Sequence, residues 1–423
     1  MFPLERIPPE LWVEICQQLC PHCTPPWTAP LSRLDPCWQH RRQELSPPRL
    51  SALANLSLSC RWLRNFARPF LYHFPVTRGP QTLKLLKTLS SRPDVASHVK
   101  ELGSVTNFWS VGELDLDAMA FLNRLADRFI HGPDQPVQKR LTRYVDRSGI
   151  DRNFIRKDLK LIQLGLLICL APNLEFLELA LCNEPVPLLR RCRLPRLRHL
   201  TLRCRYRSSQ VSLNSVKNIL KSAPNLQTIE ACGIGAVAAL SEHCNLRTLV
   251  LERSVMAQDD FRRTMMAFPK LASFTFKTPK FALLENSDAT PSQIEQAIMI
   301  RRDTLRHFDL AVDPAFCLPI SHLIESLNTT ALESLSIDSR NIRATRSDDP
   351  SSTRFGLLSL LPPKIQSFRL TSCSDHMWDD IFQLATKSRA YYPSLRKVEF
   401  PGLETKQAVL KQAFRESNIE CSF

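Results

Sequence analysis

From Leu174 to Phe400 the chain repeats one arrangement of positions nine times: apolar, two residues, apolar, one residue, apolar. It reads Leu174-Glu175-Phe176-Leu177-Glu178-Leu179, then Leu197-Arg198-His199-Leu200-Thr201-Leu202. It returns at Leu226, Leu246, Leu271, Leu305, Leu332, Ile365 and Leu395. The later positions of each phrase alternate as a strand does with one side against a core. Successive phrases start 23, 29, 20, 25, 34, 27, 33 and 30 residues apart. At six of the nine a proline stands two positions upstream: Pro172, Pro195, Pro224, Pro269, Pro363 and Pro393. A proline there stops a preceding helix and releases the chain into the strand.

Between phrases the spacing turns helical. Thr290-Pro291-Ser292-Gln293 has the form of a capping box with proline at the first helical position, and Ile294, Ala297 and Ile298 follow at helical intervals. Leu213, Val216, Ile219 and Leu220 give the same stripe. A strand and a helix recurring every 20–34 residues resembles a leucine-rich repeat. An ordinary α/β sheet would have longer, less formulaic and fully apolar strands. The resemblance implies an α/β chain whose residues 161–423 form an irregular leucine-rich-repeat horseshoe, a strand-plus-helix solenoid with loop insertions.

The N-terminus carries a different signal. Pro8, Pro9 and Glu10 suit the first turn of a helix, where the missing N–H costs nothing and an acid meets the dipole. Leu11, Ile15 and Leu19 then fall at i, i+4 and i+8. A second apolar run follows from Leu50 to Tyr72. Leu4…Ile7-Pro8…Glu10-Leu11…Ile15…Leu19, then Leu53…Leu56-Ser57…Cys60-Arg61…Leu63-Arg64…Ala67, resembles the F-box, with Trp62 about one position out of the usual register. The resemblance covers roughly residues 3–72 of a module bounded at 1–72, and implies a three-helix module that packs on a Skp adaptor, itself carried by a cullin scaffold in a ubiquitin ligase. Leu4, Ile7, Pro8, Leu11, Ile15, Leu19, Leu53, Leu56, Cys60 and Leu63 are the adaptor-binding residues it implies. Together with the repeats, it points to a substrate-recognition subunit. The alternative is a leucine-rich-repeat scaffold or inhibitor that binds a protein without a ligase role.

Residues 20–49 interrupt the module with a segment rich in proline and tryptophan, expected to be an exposed loop. It holds Cys20-Pro21-His22-Cys23 and, 14 residues on, Cys37-Trp38-Gln39-His40. Two such pairs have zinc-ligand spacing, but the glycine turns usual beside them are missing, so no metal and no cofactor are expected. Residues 73–160 are read as linker helices, a degenerate first repeat at Val99-Lys100-Glu101-Leu102, and an insertion in which Met119, Leu122, Leu125 and Ala126 suggest a helix. Residues 139–160 carry 8 basic and 3 acidic side chains, a solvated face or a grip for an acidic partner.

Composition narrows the function classes. The apolar and charged fractions, 43% and 23%, are those of a globular chain, and no apolar run approaches the ~20 residues that span a bilayer. No membrane partner is expected. Glu5 and Glu10 near the start resemble neither a secretory signal nor a transit peptide, so the expected location is cytoplasmic or nuclear, with the 14 cysteines reduced. No phosphate loop or catalytic motif is present, hence no catalytic residue and no enzyme is expected.

The formal charge of +15 is spread along the chain, so nucleic acid is not the expected partner. Outward strand positions carry six acids (Glu178, Glu230, Glu252, Asp309, Asp338, Glu399) against Arg203, Lys277, Arg369 and Lys397. Such a mixed surface suits a protein partner. Phe176, His199, Arg203, Lys277, His307, Arg369 and Lys397 are the expected substrate-binding residues.

Overall fold

The computed structural model describes residues 7–24, 36–75, 81–103, 116–129, 162–181, 192–204, 211–236, 243–279, 289–312, 324, 327–328, 330–342, 357–373, 377–403 and 407–423. Leu4 and the basic segment 139–160 lie outside them, as do the side chains of Cys37 and His40.

Each phrase becomes a strand. The first, fourth and sixth positions of all nine, from Leu174, Leu177 and Leu179 to Leu395, Val398 and Phe400, are at most 5% exposed. The strands are β1 (Glu101–Leu102), β2 (Phe176–Leu181), β3 (His199–Cys204), β4 (Val211–Ser212), β5 (Thr228–Cys232), β6 (Ile234–Ala236) and β7 (Thr248–Glu252). After them come β8 (Ser273–Lys277), β9 (His307–Ala311), β10 (Ser334–Asp338), β11 (Ser367–Thr371), β12 (Lys397–Glu399) and β13 (Glu420–Ser422). β4 and β6 form a parallel pair of their own. The other eleven make one sheet in the order β1-β2-β3-β5-β7-β8-β9-β10-β11-β12-β13.

This corrects the expected architecture. An F-box followed by a horseshoe solenoid is not what forms; the chain builds a large parallel sheet of eleven strands with helices, an α/β arrangement. A phrase dictates where a strand falls and which side is apolar. It does not dictate the architecture built from those strands, and the solenoid expectation rested on the phrase, the helical stripes between phrases and the repeat length. Within the eleven-stranded sheet Leu177 faces Leu200, Phe274 faces Phe308, and Leu335 faces Phe368, while β4 and β6 shift register between Val211 and Ser212.

The chain divides into two compact units, Met1–Arg205 with Ser215–Glu230, and Tyr206–Asn214 with Ala231–Phe423. In the second unit the buried side is aromatic: Phe261 meets Phe276 edge-on at 4.7 Å, and Phe274 stacks over Phe308. The expected capping box is present on the helix Pro291–Ile298, with Thr290 Oγ1 accepting from the Gln293 amide and Gln293 Oε1 accepting from the Thr290 amide.

In the first unit, α1 (Pro9–Leu19), α2 (Pro36–Ser59) and α3 (Arg61–His73) pack together. The core they share holds Cys16, Cys20, Leu53 and Ala67, with Leu19, Leu50, Leu56, Phe66 and Phe70 against it. α4 (Gln81–Ser91), α5 (Pro93–Ala96) and α6 (Leu116–Phe129) follow. The loop expected over 20–49 is corrected as well, because helix begins at Pro36 and carries Pro47 and Pro48 within it. A proline costs an interior helix about 3 kcal/mol. Burying the apolar side of the same helix at Leu53 offsets that on the ~1.5–3 kcal/mol scale of one large side chain.

Candidate functional site

Three places in the described residues gather chemistry. The first is the outer face of α1. Pro9 opens the helix and Trp12 and Cys16 turn inward, so Leu11 and Ile15, one turn apart, remain 48% and 40% exposed. Leu58 near the end of α2 is also exposed. Among the other residues expected to meet an adaptor, Pro8 is exposed, while Ile7, Leu19, Leu56 and Cys60 are half-buried. Cys60 caps α3, its Sγ accepting from the Leu63 amide at 3.4 Å. Leu53 and Leu63 are buried. They hold the helices together and present nothing outward, because on an amphipathic helix the same stripe cannot serve core and surface.

The second is the outward side of the strands. In the first unit Phe176 stacks on His199 at 4.6 Å, and Arg203 Nε donates to Glu178 Oε1 at 2.7 Å. In the second unit Lys277 pairs with Asp309 at 2.8 Å, while Arg369 and Lys397 both reach Glu399, at 3.5 and 2.6 Å. His307 is exposed on β9. Asp338, counted as outward from the sequence, is instead buried. Alternate strand positions thus do face outward, but Arg203, Lys277 and Arg369 are matched by acids on neighbouring strands and Lys397 by Glu399 of its own strand.

The third was not assembled by sequence reasoning. α1 ends at Cys20, whose amide donates to the Gln17 carbonyl, and the chain turns through residues 21–24. Thr24 closes that turn: its amide and its Oγ1 both donate to the Cys20 carbonyl. Arg49 of α2 holds Thr24, donating to its carbonyl and its Oγ1 at 3.0 Å. Into the same pocket comes His73, the last residue of α3. Its Nδ1 lies 3.4 Å from Cys23 Sγ and 3.7 Å from Cys20 Sγ. His22 Nδ1 lies 3.7 Å from Cys23 Sγ. One ligand atom from each of Cys20, His22, Cys23 and His73 falls within 4.8 Å of all the others.

The surroundings are apolar and tight. The His22 ring meets His73 and Phe176 edge-on, each at 5.5 Å, and its Nε2 is buried without a hydrogen-bond partner, 3.9 Å from Glu175 Oε2. Glu175 is paired to Lys100 at 3.2 Å. Burial pushes the His22 pKa down. Hydrogen bonding from Cys23, aided by His73 and opposed by burial, pulls the Cys20 thiol down, and the same bond, with burial, pushes Cys23 up. Of two adjacent thiols sharing one hydrogen bond, Cys20 is the better thiolate. The sequence offered the Cys20–Cys23 pair but sought its complement in Cys37 and His40; nothing in residues 60–80 marks His73 as the partner.

The chain matches no protein-family model, and no curated protein matches it significantly. Among the described residues no helix is long and apolar enough to cross a membrane.

Proposed function

We propose that this chain is a substrate-recognition subunit of a Skp-cullin-F-box ubiquitin ligase. In this reading helices α1–α3 dock on the Skp adaptor, which links the chain to cullin, and the strand-bearing part binds the protein to be ubiquitinated. The supporting observation is the outer face of α1: Leu11 and Ile15 lie one helical turn apart, exposed, on a helix whose other side is already buried. Covering their remaining apolar surface would contribute roughly 1.5–3 kcal/mol, a useful share of an adaptor interface. The chain's own contribution to ubiquitin transfer is then positional, holding a target lysine at high effective concentration near the conjugating enzyme.

The test is co-purification of a Skp adaptor with the full chain, compared with a Leu11→Asp and Ile15→Asp double variant. Loss of the adaptor with unchanged thermal unfolding supports the reading. Undiminished adaptor binding in the folded double variant removes it.

A further inference from the structure

We propose that Cys20, His22, Cys23 and His73 form a structural zinc site that ties the end of α1 to the end of α3. This goes beyond adaptor binding and does not rest on it.

The distances carry the proposal. Zinc holds sulfur at ~2.3 Å and imidazole nitrogen at ~2.0–2.1 Å, so in a tetrahedron each sulfur and nitrogen stand about 3.6 Å apart. Three of the four such separations in the cluster are 3.4, 3.7 and 3.7 Å, and the fourth, Cys20 to His22, is within 4.8 Å. Cys20 Sγ can also donate to the Phe70 carbonyl at 3.6 Å. His73 Nδ1 has a single lone pair, yet two sulfurs approach it. One electrophile among the four atoms satisfies all of them at once.

His22 supplies an independent observation. With Nδ1 turned to the cluster, its Nε2 is the buried nitrogen without a hydrogen-bond partner, and a carboxylate oxygen of Glu175 is 3.9 Å away. Metal-bound histidines donate their second nitrogen to a carboxylate or carbonyl, and Glu175 stands within a small movement of that bond.

Charge agrees. Two thiolates and two neutral imidazoles around Zn²⁺ sum to zero, the condition a buried site needs. Binding releases the protons still on the two thiols to solvent, with no change of oxidation state. Glu175 needs no share of the cation's charge because Lys100 already balances it. Four protein ligands close the coordination sphere, so the site has no position for a substrate and its work is mechanical. It would fasten the 20–24 turn, α3 and, through the His22–Phe176 contact, the start of β2.

The test uses full-length chain purified under reducing conditions and dialysed against metal-free buffer. Elemental analysis is expected to give about one zinc per chain, falling at least five-fold in His73→Gln and in Cys23→Ser. Cys37→Ser and His40→Gln should retain the metal. Should the ligand variants fail to fold, the wild-type chain stripped by chelator and titrated with Co²⁺ alone gives a readout free of substitution: intense tetrahedral ligand-field bands with thiolate charge transfer. Metal-free protein with all thiols open to alkylation, a Cys20–Cys23 disulfide after acid trapping, weak octahedral-type Co²⁺ bands, or zinc lost with Cys37 or His40 but kept without His73 would each overturn the proposal. The Leu11→Asp and Ile15→Asp variant should keep its zinc, so failure of adaptor binding and failure of the metal site are separable.

Discussion

The side chain of Asn341 satisfies both backbone groups of Val312: its Oδ1 accepts from the Val312 amide at 2.9 Å and its Nδ2 donates to the Val312 carbonyl at 2.8 Å. Asn341 is fully buried, and Val312, just past the end of β9, is buried with it. An amide side chain here stands in for the neighbouring strand that β9 has run out of. Asn341→Ala leaves one buried donor and one buried acceptor without partners, at about 1–3 kcal/mol each. The expected loss is about 2–6 kcal/mol in the unfolding free energy, with the denaturant slope unchanged. A loss under 0.5 kcal/mol would show that water replaces the amide.

Leu53 and Leu11 differ sharply although both lie on N-terminal helices. Leu53 is fully buried among Cys16, Cys20 and Ala67, so Leu53→Ala should cost about 2–5 kcal/mol. Leu11→Ala should change stability by under about 0.5 kcal/mol, since half its surface already faces solvent. Denaturant unfolding of the two single variants checks this; the reverse ranking would mean the α1 face is misassigned.

Asp338 gives stability a defined pH dependence. Burial alone would raise its carboxyl, but hydrogen bonds from the Arg340 guanidinium and amide, joined by Ser372, outweigh burial and hold it below the usual carboxylate range. A carboxyl lowered on folding stabilises above its unfolded value of about 3.9, and that contribution is lost as pH falls through the folded value. Wild type should therefore exceed Asp338→Asn in stability at pH 7, with the two converging below about pH 4. A gap independent of pH from 7 to 3 would assign the effect to packing.

Arg369 and Lys397 share Glu399, so reversing both charges places three carboxylates together on neighbouring strands. On the proposed receptor reading, Arg369→Glu with Lys397→Glu should reduce recovery of the recognised protein at least five-fold while adaptor co-purification stays constant. Equal recovery from both proteins would move recognition away from β11 and β12.

The strands were legible because each phrase states its own burial: Leu271, Phe274 and Phe276 are apolar and inside, while Ser273, Thr275 and Lys277 face outward. The Thr290–Gln293 cap was legible for the same local reason. What escaped was non-local or locally contradicted. The strand β13 carries no phrase, whereas β1 falls where the degenerate repeat at Val99–Leu102 was read. α2 passes through Pro47 and Pro48 against their local preference, because its packing on α3 outweighs it. His73 lies 53 positions from Cys20, and no spacing rule reaches that far. The pairing of Arg203 with Glu178 required knowing that β2 and β3 are neighbours in register.

That cross-strand neutralisation changes how any visitor to these strands would be greeted. A cation already holding an anion exerts little pull beyond the Debye length of about 8 Å at physiological salt. The chain's +15 excess is therefore felt at a distance chiefly from other positions. Attraction and discrimination become separate tasks: the first fades as salt rises, while the second asks a partner to exchange one ion pair for another at little net gain. Such an exchange rewards only a partner whose charges fall in the right order, and association would be slow to form in salt yet selective once formed.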